Sequence, residues 1–213
     1  MKHTSLYVGV ILLMALWAVL LPLADRASFT IHMIAHMGVV AGAAPLIAIG
    51  LSGTRFDLPA RWPWFSPIVA SLLELVAVWI WHIPTFRALS ESSPSIAAVE
   101  QVTFLVAGLA LWLSCLGGLE AGRGGRRMAG AVGLLFTSMH MTLLGALLAL
   151  SPRALYGDGE VSCFGIALSP VVDQQAGGVI MLLVGAAVYL AGGVSLLATT
   201  LNSGIPQAPR RRG

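Results

Sequence analysis

Residues 31–51 read IHMIAHMGVVAGAAPLIAIGL, an apolar run of 21 residues without a single Asp, Glu, Lys or Arg. A helix of about 20 apolar residues is long enough to cross the roughly 30 Å hydrocarbon core of a bilayer. The run therefore predicts a transmembrane helix. It also contains two histidines, and because polar groups are expensive to place in lipid, this helix is the first candidate for a functional site.

Five more apolar runs of similar length surround this one. The predicted spans are residues 5–22, 31–51, 66–86, 96–116, 128–150 and 174–197. The longest connection, residues 151–173, has 23 residues and is too short for a separate soluble domain. We therefore predict an all-α fold, a polytopic transmembrane helix bundle of about six spans. It forms one domain over residues 1–200, followed by a short basic tail at 201–213.

The composition excludes an ordinary soluble protein. Charged residues make up 10% of the chain and hydrophobic residues 57%, whereas soluble domains carry roughly 25% charged residues. The formal net charge is +3, but the basic residues are scattered along the chain, so nucleic-acid binding is not supported. The lipid bilayer is the expected partner of most of the surface.

The basic residues indicate how the chain crosses the membrane. Nine of the twelve Lys and Arg residues lie in the two termini and in the second and fourth loops. The positive-inside rule then predicts that both termini are cytoplasmic, in a multi-pass protein of the cell (inner) membrane. A cleaved signal peptide is the alternative for the first span, although its apolar run is longer than usual. Cys115 and Cys163 would lie on opposite sides, which excludes a disulfide between them.

The second span carries His32 and His36 four residues apart, on one face of a helix. Met33 and Met37 form a second such pair, and His82 lies at similar depth near the outer end of the third span. Imidazole and thioether ligands together suit Cu(I), so these residues form a candidate copper site. In the alternative interpretation the histidines bond to neighbouring helices and the methionines fill space.

A deeper pair of soft ligands lies in the last two spans. His140 is near the middle of the fifth span between Met139 and Met141, and Met181 is at comparable depth in the sixth. Adjacent helical residues diverge by about 100°, so at most one His-Met pair can face inward. We predict a second metal site formed by His140, Met141 and Met181, with core packing as an equally good alternative.

Three carboxylates are candidates for supporting roles. Glu74 is at mid-membrane in the third span, with His140 as a possible partner. Glu100, one turn inside the outer end of the fourth span, is expected to support an outer site, because metal-bound imidazoles usually need a second-shell partner. Asp173 begins the sixth span, where it either caps that helix or orients a ligand histidine.

These residues resemble the CtaG-type cytochrome c oxidase assembly factors, multi-span membrane proteins associated with copper supply. The resemblance covers the second to sixth spans. Members of the family often carry a further histidine pair in the fourth span, where this chain has Ala97 and Gln101. The motifs that carry the resemblance are His32-Met33-Ile34-Ala35-His36-Met37 with Pro45 and Gly50, Trp81-His82-Ile83-Pro84, Leu144-Gly145-Ala146-Leu147-Leu148 with Leu155-Tyr156, and Asp173-Gln174-Gln175 with Gly177-Gly178 and Ile180-Met181.

The resemblance implies a non-enzymatic assembly factor whose partners are cytochrome c oxidase subunits and an external copper donor. Combined with the residues, it predicts that Cu(I) binds on the outer side and moves inward towards the oxidase. One alternative is a b-type haem-binding membrane cytochrome, with His36 and His82 as haem ligands. The other is a metal-free structural assembly subunit. The oligomeric state stays open.

Overall fold

The apolar runs form long helices. The computed structural model describes residues 2–23, 25–62, 65–118 and 123–203. Two π-helical stretches, Leu16–Leu20 and Gly38–Ala43, connect α1 to α2 and α3 to α4. The helices are α1 (Lys2–Ala15), α2 (Leu21–Leu23), α3 (Phe29–Met37), α4 (Ala44–Leu51), α5 (Leu58–Arg61), α6 (Pro67–Trp81), α7 (Pro84–Ser92), α8 (Pro94–Leu116), α9 (Arg123–Ala149) and α10 (Pro170–Ser203).

The predicted all-α membrane bundle is confirmed. Within the described residues, five helices are long and apolar enough to cross a membrane, or six if the bent pair α6 and α7 counts as one span. The first three residues of the predicted basic tail, 201–203, continue α10. Residues 204–213 lie outside the described residues. The cytoplasmic location of both termini stays a prediction.

The third span ends earlier than predicted. The sequence predicts one helix over 66–86, but α6 ends at Trp81 and α7 continues at an angle of 72°. The cause is Pro84, which lacks an N–H and disfavours helical geometry at the residue before it. Ile83 is accordingly extended, with φ −68° and ψ 129°. His82 is thereby placed at the C-terminal end of α6 instead of inside a helix.

The longest connection contains a hairpin that the sequence analysis did not predict. Strand β1 (Val161–Cys163) pairs antiparallel with β2 (Ile166–Leu168). Phe164 and Gly165 both have positive φ, 49° and 82°, as a two-residue type I′ hairpin turn requires. The carboxylate of Asp25 accepts a 3.0 Å hydrogen bond from the Ser162 amide, which ties the hairpin to the start of α3.

The π-helical stretch after α3 places a backbone carbonyl among buried side chains. A π-turn bonds i to i+5, so it shifts the carbonyls out of the regular ladder. The carbonyl of Val40 accepts a 3.0 Å hydrogen bond from the Trp112 indole, and the Tyr189 hydroxyl lies 3.4 Å from it. This stretch begins two residues after His36, so α8 and α10 hold the backbone directly below the candidate site.

Small residues bring α9 and α10 into backbone contact. A Cβ atom on Gly178 would lie 2.6 Å from the amide nitrogen of Ala149 and 2.8 Å from the carbonyl oxygen of Gly145. A Cβ atom on Gly145 would meet the Leu182 amide at 2.7 Å. Helices in lipid associate through such close packing, because the hydrophobic effect does not distinguish apolar side chains from lipid.

Gly178→Ala is expected to destabilise the protein, because its methyl group would collide with backbone that cannot move aside locally. We expect the free energy of unfolding in detergent to fall by roughly 1–3 kcal/mol, the usual result of overpacking. Gly124→Ala is the matched control, since Gly124 is helical and has open space around its Cβ position. Equal stability of the two variants would show that the contact between α9 and α10 does not limit stability.

Candidate metal centre

Three histidines that are far apart in the sequence form one buried cluster. His32 and His36 on α3 meet His82 at the end of α6. The ring centroids are 5.9 Å apart for His32 and His82, 5.5 Å for His36 and His82, and 6.4 Å for His32 and His36. A metal about 2 Å from one nitrogen of each ring would separate the centroids by roughly 5–6.5 Å. Each pair of rings is therefore separated by a distance within this range.

The hydrogen bonding of His82 defines which of its nitrogens is available. Nδ1 lies 2.6 Å from the carbonyl oxygen of Val78, and because a carbonyl only accepts, Nδ1 carries the proton. Nε2 is then an acceptor, and it is buried without a partner. A backbone carbonyl on the other ring nitrogen is the usual support of a metal-ligating histidine.

The two histidines of α3 are also buried with unpartnered nitrogens. Nδ1 of His32 lies 3.8 Å from a carboxylate oxygen of Glu100, and its Nε2 has no partner. Neither ring nitrogen of His36 has one. Unpartnered buried polar atoms are rare in folded proteins and require an explanation. Among the described side chains, however, no group of three His, Cys, Asp or Glu already has the arrangement of a complete metal site.

Aromatic side chains enclose the cluster. Phe104 on α8 is fully buried, with its centroid 4.0 Å from that of His36. Phe29 meets His82 edge-on at 6.2 Å and stacks on Tyr156 at 4.3 Å. Burial raises the pKa of Tyr156 to about 12, so its hydroxyl stays protonated and donates to the His82 carbonyl at 2.8 Å. Tyr156 belongs to a motif of the family resemblance, but its contact with the cluster is not predictable from the sequence. Phe104 was not a candidate, because a lone aromatic residue in an apolar span gives no functional signal.

The methionines of α3 point towards α10. Met33 packs beside Gly177 of α10. A Cβ atom added to Gly177 would lie 3.0 Å from the Cγ atom of Met33. Met37 and Met141 converge on Gly185. Each methionine follows a histidine directly and therefore lies about 100° further around the helix. The structure thus collects the imidazoles at one place and gives the thioethers contacts with α10.

The deeper candidates are buried as well. His140 is buried with both ring nitrogens unpartnered. Met139 is 70% exposed, whereas Met141 is fully buried, so a single His-Met pair faces inward. Met181 is also fully buried.

Asp173 has neither of the two roles predicted from the sequence, which are to cap its own helix or to orient a ligand histidine. Its carboxylate accepts hydrogen bonds from the hydroxyl of Ser28 at 2.9 Å, the amide of Phe29 and the amide of Thr30 at 3.1 Å. These groups are the N-cap and first turn of α3, so Asp173 caps a neighbouring helix instead of its own. None of these bonds goes to a histidine. The reason is tertiary, since the N-terminal ends of α3 and α10 meet.

The other two carboxylates lie in different surroundings. Glu100 accepts a 2.6 Å hydrogen bond from the hydroxyl of Ser90 and lies beside His32. Glu74 accepts a 2.8 Å hydrogen bond from the Tyr189 hydroxyl. The sequence predicts His140 as a possible partner, whereas the structure places Tyr189 there. Glu100 is therefore adjacent to the histidine cluster, and Glu74 is part of the polar contacts around Val40.

One comparison with known proteins gives a match. The model of a family described as cytochrome c oxidase caa3 assembly factor (Caa3_CtaG) matches residues 2–203. The match covers all five histidines and every helix of the described chain. No curated protein and no solved structure matches the chain.

Proposed function

We propose, from the premise that this chain belongs to the family of cytochrome c oxidase caa3 assembly factors, that it supplies the oxidase with Cu(I). The first binding site in this proposal is the cluster of His32, His36 and His82. The protein acts in the cell (inner) membrane as a non-enzymatic assembly factor. Its partners are oxidase subunits and an external copper donor.

The observation that carries the proposal is the set of unpartnered, buried imidazole nitrogens in one cluster. Imidazoles bind Cu, Zn, Fe and Ni, so the ligand type alone does not select the ion. The surroundings favour Cu(I), because the cost of moving an ion from water into a low-dielectric interior increases with the square of its charge. Three neutral imidazoles enclosed by aromatic rings hold a monovalent ion at a lower cost than a divalent one.

The inner side chains supply a route for the cargo. Met37 and Met141 meet at Gly185, and the buried His140 directly precedes Met141, so soft ligands continue from α3 into the bundle. Met181 is buried on the same helix as Gly185, four residues before it. We propose that Cu(I) moves along these ligands by exchange of one ligand at a time, towards the depth at which the oxidase receives it.

Metal analysis of the purified protein tests the proposal. After anaerobic loading, the detergent-solubilised chain is expected to hold about one Cu(I) at the imidazole cluster. The variant with alanine at His32 and His36 should lose it, whereas Met139→Ala, on an exposed face, should keep it. A haem absorption band would instead support a b-type cytochrome. Protein without bound copper would support a metal-free structural subunit, and either result would contradict the proposal.

A further inference from the structure

A cavity of ≈ 320 Å³ lies beside the histidine cluster, between the end of the first span, α7 and α8. We call it the outer cavity, after the predicted outer ends of the helices that form it. Its lining includes Trp17, His32, Arg87, Ala97, Glu100 and Gln101.

We propose that the outer cavity is the entrance through which Cu(I) reaches the histidine cluster, and that His32 is its first ligand there. The inference rests on the proposed function and adds the direction and place of loading. Of the three clustered histidines, His32 alone lines the cavity. The other cavity described at this end of the bundle, lined by Pro84, Tyr156 and Asp158 among others, reaches no histidine.

The polar atoms of the lining suit the passage of a cation. One carboxylate oxygen of Glu100 and the amide oxygen of Gln101 are buried without a hydrogen-bond partner, and both residues line the cavity. Buried oxygens of this kind are normally satisfied by water or by a ligand. Glu100 also lies beside His32, with a carboxylate oxygen 3.8 Å from Nδ1, so the cavity offers oxygen atoms close to the first imidazole.

By formal charge, the lining has one more acidic than basic side chain. Three carboxylates and two guanidinium groups line the cavity, and the described structure holds one guanidinium firmly in place. Arg87 donates to the carbonyl oxygen of Arg26 at 2.8 Å and lies 3.2 Å from a carboxylate oxygen of Glu91. The charge of Arg87 is thus paired with that of Glu91. An excess of one sign in a cleft concentrates ions of the opposite sign.

The test is to close the cavity without altering the ligands. Ala97 lies three and four residues before Glu100 and Gln101, so it shares their face of α8 and lines the cavity. Ala97→Trp would fill the passage with an indole ring. Val99→Trp is the matched control, because Val99 is on the same helix, is 57% exposed and does not line the cavity.

Loading is followed by rapid mixing of anaerobic protein with the acetonitrile complex of Cu(I), and release by transfer to a strong chelator. We expect Ala97→Trp to slow both loading and release by about tenfold or more at unchanged affinity, because a closed passage changes the barrier and not the end states. Val99→Trp should match the wild type. Wild-type rates in Ala97→Trp, or a change of affinity without equal slowing in both directions, would overturn the inference.

A second variant covers the case in which Ala97→Trp does not fold. Ala97→Cys adds a small thiol to the cavity, and disulfide-forming thiol reagents of increasing size then close it reversibly. Loading should slow as the reagent becomes larger and recover with a reductant, whereas the same reagents on the wild type control for Cys115 and Cys163. Equal rates of Cu(I) loading with all reagents would contradict the proposal that the outer cavity is the entrance. A wild-type protein that binds no Cu(I) would contradict the proposed function itself.

Discussion

His82→Ala is expected to lower the affinity for Cu(I) by at least about 100-fold, the upper end of the effect of removing a second-shell partner. His82 is the member of the cluster contributed by a different helix, so without it both remaining imidazoles come from α3. The structure also defines the tautomer of His82, because Nδ1 donates to the carbonyl oxygen of Val78 and Nε2 has no partner. Competition with a Cu(I) chelator of known affinity measures the change.

The control for this variant is His3→Ala, which removes an exposed histidine from α1 and should leave the affinity unchanged. The His82→Ala protein must also be shown to fold, since the substitution removes a buried ring and leaves the Val78 carbonyl without this partner. Its helical circular dichroism and thermal unfolding in detergent supply that check. A folded His82→Ala protein with the affinity of the wild type would exclude His82 from the site.

Asp173→Ala is expected to have the largest effect on stability. Its carboxylate accepts from the Ser28 hydroxyl and from the amides of Phe29 and Thr30, all of them buried. Leaving a buried donor without a partner costs about 1–3 kcal/mol, so we expect the free energy of unfolding to fall by roughly 3–5 kcal/mol. The lost negative charge at the N-terminus of α3 acts in the same direction.

Chemical unfolding in detergent measures this loss, and two further variants make the result specific. Asp173→Asn keeps one oxygen acceptor and should fall between the wild type and Asp173→Ala. Ser28→Ala removes one of the three donors and also the N-cap acceptor of the Ile31 amide, so it should cost about 1–2 kcal/mol. If Asp173→Ala unfolded like Ser28→Ala, the cap would not be the main connection between α3 and α10.

The six apolar regions and the polar residues that are costly to bury within them could be predicted from the sequence. The reason is that lipid makes the requirement local, because each span must be apolar over its own length and must satisfy its backbone internally. The same cost makes His32, His36 and Glu74 visible as exceptions. The break before α7 could be placed only approximately. Pro84 marks it in the sequence, but the 72° turn that puts His82 at a helix end depends on packing.

The partners of the buried polar groups could not be predicted. Asp173 caps a helix 144 residues earlier in the chain, and the hydroxyl of Tyr189 bonds to Glu74 across 115 residues. Phe104, which packs on His36, is one apolar residue among many in its span. Spacing along one helix defines which residues share a face, but it carries no information about the rotation of one helix against another.

The sequence by itself therefore determined the membrane bundle, the approximate spans and the residues that are costly to bury. Tertiary structure alone decided that three of the histidines meet, that the methionines of α3 face α10, and that a cavity opens onto His32. The physical reason is that the cost of burial belongs to each residue and its neighbours in one helix. A shared site depends on how separate helices rotate and pack, which is set by contacts such as those of Gly178 and Asp173.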